Sequence, residues 1–208
     1  WQSGSSRWYP GAGLYRSVWL VKTAPVHIAQ WGTYITTPEV TEEAAHVKLK
    51  ITVDNDSKQD ATAIVLTRIV ALDALDRAAG RAAAKIPPVT VRIAAGRSTT
   101  VETETVLRDP KLWGTGARQK PNRYLALTTV RLNGRTVDVY RTPFGVRSLR
   151  FDPDKGFFLN GEHIELNGVC SHHDLGALGA AVNTRALERQ LEMLAEMGAN
   201  AIRTSHNP

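Results

Sequence analysis

The chain has 208 residues, 42% of them hydrophobic, and a formal net charge of +6 from 26 Lys and Arg against 20 Asp and Glu. This length suits one large domain or two smaller ones, and the hydrophobic content is ordinary for a folded protein. Because the cations are interleaved with acidic residues and form no dense run, a nucleic-acid partner is not predicted. No stretch of 18 apolar residues occurs, so neither a transmembrane helix nor a membrane partner is predicted. The single cysteine, Cys170, excludes an intramolecular disulfide and a cysteine-based metal cluster.

The first 25 residues are rich in glycine and aromatic residues. They lack the cationic and apolar regions of a signal peptide, so no signal peptide is predicted. Because the sequence does not begin with Met, we expect that residue 1 is not the natural start. The segment "YPGAG" predicts a turn, since Pro fixes φ and Gly permits positive φ. The mixed apolar and polar residues from Leu14 to Val21 then predict a strand.

Short β-patterns dominate from about residue 26 to 145. In "AHVKLKITVDN" the apolar residues alternate with Lys48, Lys50 and Thr52, which predicts a half-buried strand. Asn133-Gly134 lies between two such patterns and predicts a hairpin, because both central residues of a type I′ turn need positive φ. Roughly seven short strands separated by turn signals predict an immunoglobulin-like β-sandwich. The other strand segments are "TAIVLTRIVAL", "PPVTVRIAAG", "STTVETETVL", "YLALTTVRLNG" and "RTVDVYRTPFG".

One stretch, "ALDALDRAAGRAAAKIPP", is open to two interpretations. Its Ala, Leu and Arg residues favour a helix by propensity alone. Gly80 in the middle and Pro87-Pro88 at the end instead favour two strand ends joined by a turn at "DRAAGR". We predict the hairpin and keep the helix as the alternative.

From residue 146 the pattern changes. "SLRFDPDKGFFLNGEHIEL" predicts three short strands with two turns, and "ELNGVC" a further strand. "TRALERQLEMLAEMG" predicts a helix with an apolar face, a cap at Asn183 or Thr184 and an end at Gly198. "NAIRTSH" predicts the next strand, so strand, helix and strand form a βαβ unit with a parallel pair. The apolar face of the helix consists of Leu187, Leu191, Leu194 and Met197.

Polar residues follow both strands of this βαβ unit. Because parallel strands end at the same edge of a sheet, where α/β folds bind ligands, we expect these residues to converge. A metal site is one interpretation, although adjacent His172 and His173 in a strand would point to opposite faces. A pocket for sugar hydroxyls is the interpretation that the mixed donors and acceptors favour. The third is purely structural, with Asp174 capping a turn and His206 bonded to a backbone carbonyl. The residues concerned are His172, His173, Asp174, Arg203, His206 and Asn207.

Other chemistries lack their parts in this chain. A glycosidase needs two carboxylates, and Asp174 has no convincing partner at this edge. No nucleophile elbow surrounds Ser171 or Ser205, and no Gly-rich phosphate loop is present. No cofactor is therefore predicted.

Three segments carry a resemblance to a known family. They are similar to segments of glycoside hydrolase family 2, which comprises β-galactosidases, β-glucuronidases and β-mannosidases. The segments are "SRWYPGAGLYRSVWL", the stretch from "TPFGVRSLRF" to "SHHDLG", and "NAIRTSHNP". The segment "GVCSHHDLGALGAAVN" most resembles the β-galactosidase-type branch of the family. The resemblance implies a mainly β chain: the end of a jelly-roll domain over 1–25, an immunoglobulin-like sandwich over 26–145, and the start of a (β/α)8 barrel over 146–208.

The resemblance also implies roles for four residues. His172 and His206 match sugar-contacting histidines, and Arg203 matches the arginine that orients the nucleophilic carboxylate. Asp174 lies in the same loop as His172 and is expected to be a further substrate-binding residue. The chain departs from the family at Cys170-Ser171, where Asn-Arg is common, and at Asn207, where Tyr is usual.

The implied activity is retaining hydrolysis of terminal β-galactosides or related β-glycosides, with carbohydrate as the partner. The family's two catalytic glutamates lie on later barrel strands, so no catalytic or metal-binding residue is assigned here and the chain alone is expected to be inactive. The alternatives are a structural or interaction module that forms homo-oligomers through exposed apolar surface, and a metallohydrolase barrel.

Overall fold

A computed structural model describes residue 14 and residues 16–115, 119–172 and 175–205. The chain divides into two compact units, one spanning residues 22–164 and the other combining the stretch from 165 onward with the residues before 22. Among the described residues, no helix is long and apolar enough to span a membrane.

The larger unit contains a two-sheet β-sandwich. One sheet has the strand order β1-β2-β5 and the other β4-β3-β6-β7. Every pairing within them is antiparallel. The seven strands confirm the predicted sandwich. They are β1 (Val26–Val40), β2 (Ala44–Asn55), β3 (Ala61–Leu72), β4 (Ala78–Ile93), β5 (Arg97–Arg108), β6 (Tyr124–Leu132) and β7 (Arg135–Phe144).

The core of the sandwich lies between the inner faces of these sheets. Val47, Leu49, Ile51 and Val53 of β2 are each at most 1% exposed, as the alternation predicts. Burial of each such side chain stabilises the fold by about 1.5–3 kcal/mol. They pack into one cluster with residues from both sheets, including Ile69 of β3.

The hairpin between β6 and β7 confirms its predicted turn. Asn133 has a φ of 50° and Gly134 a φ of 78°, which is the backbone that a type I′ turn needs.

The Ala-rich stretch is a hairpin, as predicted, but its turn lies earlier than "DRAAGR". β3 ends at Leu72 and β4 begins at Ala78. Asp73 closes the turn, because its Oδ1 accepts hydrogen bonds from the N–H groups of Leu75 and Arg77, each at 2.9 Å. Gly80 instead lies within β4, where the register shifts and its φ is 74°.

Two adjacent prolines are accommodated inside β4 rather than ending it. The pairing of β3 with β4 shifts register between Val65 and Thr67, next to Pro87 and Pro88. β4 is an edge strand, so a residue without an N–H donor is tolerated at such a bulge.

The predicted strand from Leu14 to Val21 is wrong for the described residues of that segment. None of them is in a strand, and Trp19 and Leu20 are 82% and 99% exposed. An extended segment becomes a strand only by hydrogen bonding to a neighbour, and no described strand pairs with this one.

Three short antiparallel strands complete the larger unit, as "SLRFDPDKGFFLNGEHIEL" predicts. They have the order β10-β9-β8. Their bounds are β8 (Leu149–Asp152), β9 (Gly156–Leu159) and β10 (Glu162–Ile164).

The other unit contains the predicted βαβ segment. β11 (Gly168–Ser171) pairs in parallel with β12 (Ala201–Thr204), and helix α1 (Thr184–Glu196) lies between them in the chain. The Asn183 side chain caps α1 by accepting a hydrogen bond from the Ala186 N–H at 3.1 Å. Both the parallel pair and the cap are confirmed.

Candidate functional site

The ends of β11 and β12 bring distant parts of the sequence together. The register pairs Cys170 with Arg203 and Ser171 with Thr204. A hydrogen bond of 2.9 Å from the Ser205 N–H to the Ser171 carbonyl extends the pairing by one residue. Because strand side chains alternate between faces, Cys170 and Arg203 share one face of this pair.

Amide groups hold the opposite, starting ends of the two strands. The Asn200 Nδ2 donates to the Glu165 carbonyl at 2.8 Å, and its Oδ1 accepts from the Asn167 N–H at 2.8 Å. The Asn200 N–H also donates to the Asn167 carbonyl at 3.1 Å. These three bonds fix where β12 begins relative to β11.

A guanidinium and a thiol meet at the strand ends. Nη1 of Arg203 lies 3.8 Å from Sγ of Cys170, and both residues are exposed. Ser205 is 2% exposed, and its Oγ forms no hydrogen bond of ordinary geometry with any residue that the structure describes. The Ser205 hydroxyl first, and then the Arg203 guanidinium, hold the pKa of the Cys170 thiol below its usual value.

Of the predicted site residues, the structure describes two. Arg203 lies in β12, and His172 directly follows β11 at an exposed position. Strand pairing therefore places both in the segments that converge. Asp174 and His206 lie outside the described residues, so their predicted sugar contacts stay predictions.

The described residues contain no group of three His, Cys, Asp or Glu side chains placed to hold a metal ion. Arg203 carries a permanent positive charge. This charge suits the Arg203 side chain to orienting or binding an anionic group.

Sequence reasoning missed the contact between Cys170 and Arg203. Both residues stand out in the motifs, but they are 33 positions apart and only the strand register makes them neighbours. A signal was present in Asn167 and Asn200, the amide residues one position before each strand.

Two family profiles together match most of the chain. "Glycosyl hydrolases family 2" matches residues 26–147, and "Glycosyl hydrolases family 2, TIM barrel domain" matches residues 153–208.

Curated relatives are similar over almost the full chain. Beta-galactosidase BoGH2A from Bacteroides ovatus is 42% identical over 204 residues, covering 98% of this chain and 23% of the relative. A beta-glucuronidase from Bacteroides fragilis is 30% identical, covering 94% of this chain and 27% of the relative. The chain thus spans about a quarter of the length of these relatives.

Two solved structures are similar to this chain over most of its length. A glycosyl hydrolase family 2 member from Bacteroides cellulosilyticus superposes with a TM-score of 0.82 at 33% identity, covering 97% of this chain and 25% of that one. Bacteroides uniformis beta-glucuronidase 2, covalently bound to cyclophellitol-6-carboxylate aziridine, has a TM-score of 0.78 at 30% identity, covering 89% and 22%.

Proposed function

Because the chain belongs to glycosyl hydrolase family 2, we propose that it is part of a retaining glycosidase that cleaves terminal β-galactosides or related β-glycosides. The observation that carries the proposal is the parallel pair β11–β12, which brings the segment of Arg203 beside that of His172. The 42% identity to a beta-galactosidase over 98% of the chain supports a galactoside rather than a glucuronide.

We propose that the activity belongs to a longer protein of which this chain is a segment. Retaining hydrolysis uses one carboxylate as nucleophile and a second as acid and base, and the family resemblance places both on later barrel strands. In this proposal residues 1–25 are the end of a jelly-roll domain, residues 26–145 are the sandwich, and residues 146–208 are the start of the barrel.

The chain's own residues then bind and orient. Arg203, with its permanent charge and planar donors, would hold the nucleophilic carboxylate ionised and in one orientation. His172, Asp174 and His206 would contact sugar hydroxyls, since imidazole and carboxylate groups both exchange hydrogen bonds with hydroxyls.

The test is hydrolysis of nitrophenyl glycosides by the longer protein. We expect kcat/KM for the β-galactoside to exceed that for the β-glucuronide at least about tenfold. A site that forms hydrogen bonds to one sugar binds the transition state of the other sugar less well, because some of its polar groups are then left without partners. The anomeric configuration of the first product, followed by NMR, should be retained. No hydrolysis of any β-glycoside, or inversion, would overturn the proposal.

A variant pair tests the role of Arg203. In the longer protein, Arg203→Ala should lower kcat at least about a hundredfold, as removal of a preorganised electrostatic group does in other enzymes. Arg189→Ala, which removes an exposed arginine from α1, should change kcat less than about twofold. Equal effects of the two substitutions would contradict the assignment.

The alternative is a non-catalytic interaction module. Calorimetry with galactose distinguishes the two, because a sugar subsite releases or absorbs heat and a spacer does not. The 208-residue chain by itself is expected to show no hydrolysis in either case.

A further inference from the structure

Cys170 is the only cysteine of the chain, and the parallel register fixes its surroundings. Its Sγ lies 3.8 Å from Nη1 of Arg203, the residue directly opposite in β12. The thiol is exposed, so a reagent in solution reaches it in this chain.

A second group faces the same sulfur. Ser205 is 2% exposed, and its Oγ has no hydrogen-bond partner of ordinary geometry among the described residues. Its hydroxyl is nevertheless the first cause that holds the pKa of the Cys170 thiol below its usual value. A buried hydroxyl with an unused donor is costly unless an acceptor arrives. A thiolate at Cys170 is such an acceptor, and Arg203 supplies the opposite charge.

We propose that Cys170 is a modification site that exchanges with small, negatively charged disulfides, with Arg203 attracting the anionic reagent. A structural cysteine is inert because it is buried and neutral, whereas in this 208-residue chain Cys170 is exposed beside a permanent cation. The same cation that favours the thiolate also favours a carboxylate on the incoming molecule.

The exchange balances without another reactant. The Cys170 thiolate attacks one sulfur of the reagent, a new disulfide bond to Cys170 forms, and the reagent's own S–S bond breaks. One half of the reagent leaves as a thiolate and is thereby reduced, while Cys170 is oxidised. The proton of the thiol goes to solvent, and excess dithiol reverses the reaction by the same steps.

The consequence for activity rests on the proposed function. If Arg203 orients the nucleophile in the longer protein, a carboxylate-bearing adduct on Cys170 occupies its guanidinium and fills the adjoining space. Modification should then abolish glycosidase activity until the adduct is reduced.

Labelling kinetics of the 208-residue chain test the site itself. The chain is treated with dithiobis(nitrobenzoate), which is anionic, and separately with dithiodipyridine, which is uncharged. Arg203→Met should lower the ratio of the anionic to the neutral rate about threefold, the effect of one partly screened charge near the sulfur. Arg203→Lys should keep most of the ratio, and Cys170→Ser should not react.

The matched control is Arg189→Met on α1, which changes net charge equally. An unchanged ratio in Arg203→Met, or an equal fall in Arg189→Met, would overturn the proposal. Circular dichroism of each variant establishes that β-structure is retained. If Arg203→Met is unfolded, Arg203→Gln takes its place, because it also removes the charge and should lower the ratio by the same factor of about three.

Activity measurements on the longer protein separate the two proposals. The anionic disulfide should inactivate the wild type and dithiothreitol should restore it, whereas Cys170→Ser should keep its own starting rate during treatment. Absence of any glycosidase activity overturns the proposed function and leaves the labelling result standing. Full activity of the longer protein after treatment, whether or not Cys170 has reacted, overturns the inferred consequence for the enzyme.

Discussion

Asn55 is a polar residue inside the sandwich and its replacement should be among the most damaging single changes. It is 1% exposed at the end of β2. Its Nδ2 donates to the carbonyls of Gln59 at 2.8 Å, Ile93 at 3.1 Å and Ala94 at 3.3 Å. Its Oδ1 accepts from the N–H of Ser57 at 3.1 Å and from its hydroxyl at 2.7 Å. The side chain thereby links β2 of one sheet to the end of β4 in the other.

The substitution Asn55→Asp keeps the shape but removes both amide donors. Three carbonyl oxygens then face a carboxylate oxygen, and two hydrogen bonds worth about 1 kcal/mol each are lost. Burial of an unpaired charge adds to this, so we expect a loss of about 3–5 kcal/mol in the free energy of unfolding at pH 7. That is a large part of the roughly 5–15 kcal/mol by which domains are stable.

The loss should shrink as the pH falls. The carbonyl oxygens and burial favour the protonated acid, so the folded-state pKa of this new carboxyl lies above its unfolded value of about 3.9. Between these two pKa values the folded state binds more protons than the unfolded state, and stability falls as pH rises. Below about 3.9 both states are protonated, and the acid can donate one hydrogen bond again.

Guanidinium denaturation of the 208-residue chain, followed by far-UV circular dichroism at pH 7 and at pH 4.5, measures the effect. The matched control is Asn133→Asp, which makes the same chemical change in an exposed turn that also accepts Asp. It should cost less than about 0.5 kcal/mol. A stability of Asn55→Asp within about 1 kcal/mol of this control at pH 7, or a difference between them that grows at the lower pH, would refute the role assigned to the Asn55 amide.

Three further changes have defined outcomes. Thr67 and Thr128 are buried, and their Oγ1 atoms lie 3.0 Å apart. Thr67→Val should therefore lower the free energy of unfolding by about 1–3 kcal/mol, and adding Thr128→Val should restore most of that loss. A double-mutant cycle by urea denaturation measures this, and additive losses would contradict it. Trp31 has a φ of 57° and is 83% exposed, so Trp31→Gly should stabilise by about 0.5–1 kcal/mol, and a lower Tm would argue against strain there. Asn200→Ala removes two side-chain hydrogen bonds at the starting ends of β11 and β12. Hydrogen exchange of the backbone amides of these strands should therefore become about tenfold faster. Unchanged exchange rates would show that these bonds do not hold the strands together.

Local patterns carried most of the fold prediction. The alternation around Leu49 and Ile51 depends only on which residues face the core. The turn at Asn133-Gly134 depends on two adjacent φ angles. Neither requires knowledge of a distant partner, and both are confirmed.

Errors arose where a distant partner or one particular side chain decided the outcome. The turn before β4 follows Asp73, whose carboxylate closes it. Asp73 and Asp76 each follow an Ala-Leu pair, so the local sequence does not indicate which of them closes the turn. The segment from Leu14 to Val21 has a strand-like composition and pairs with no described strand. Composition reports preference, whereas a strand also needs a neighbour.

The same distinction applies to the candidate site. The βαβ order alone implies that the ends of the two parallel strands converge. This order was enough to predict that Arg203 lies near the segment of His172. Which side chains touch depends on register, and a shift by one residue would place Arg203 opposite Ser171, on the other face from Cys170. The bonds of Asn200 to Glu165 and Asn167 set that register at the starting ends of the strands. The chemistry available to Cys170 and Arg203 therefore depends on an amide side chain whose hydrogen bonds go to other residues, Glu165 and Asn167. A substitution at Asn200 should alter thiol reactivity as well as strand stability.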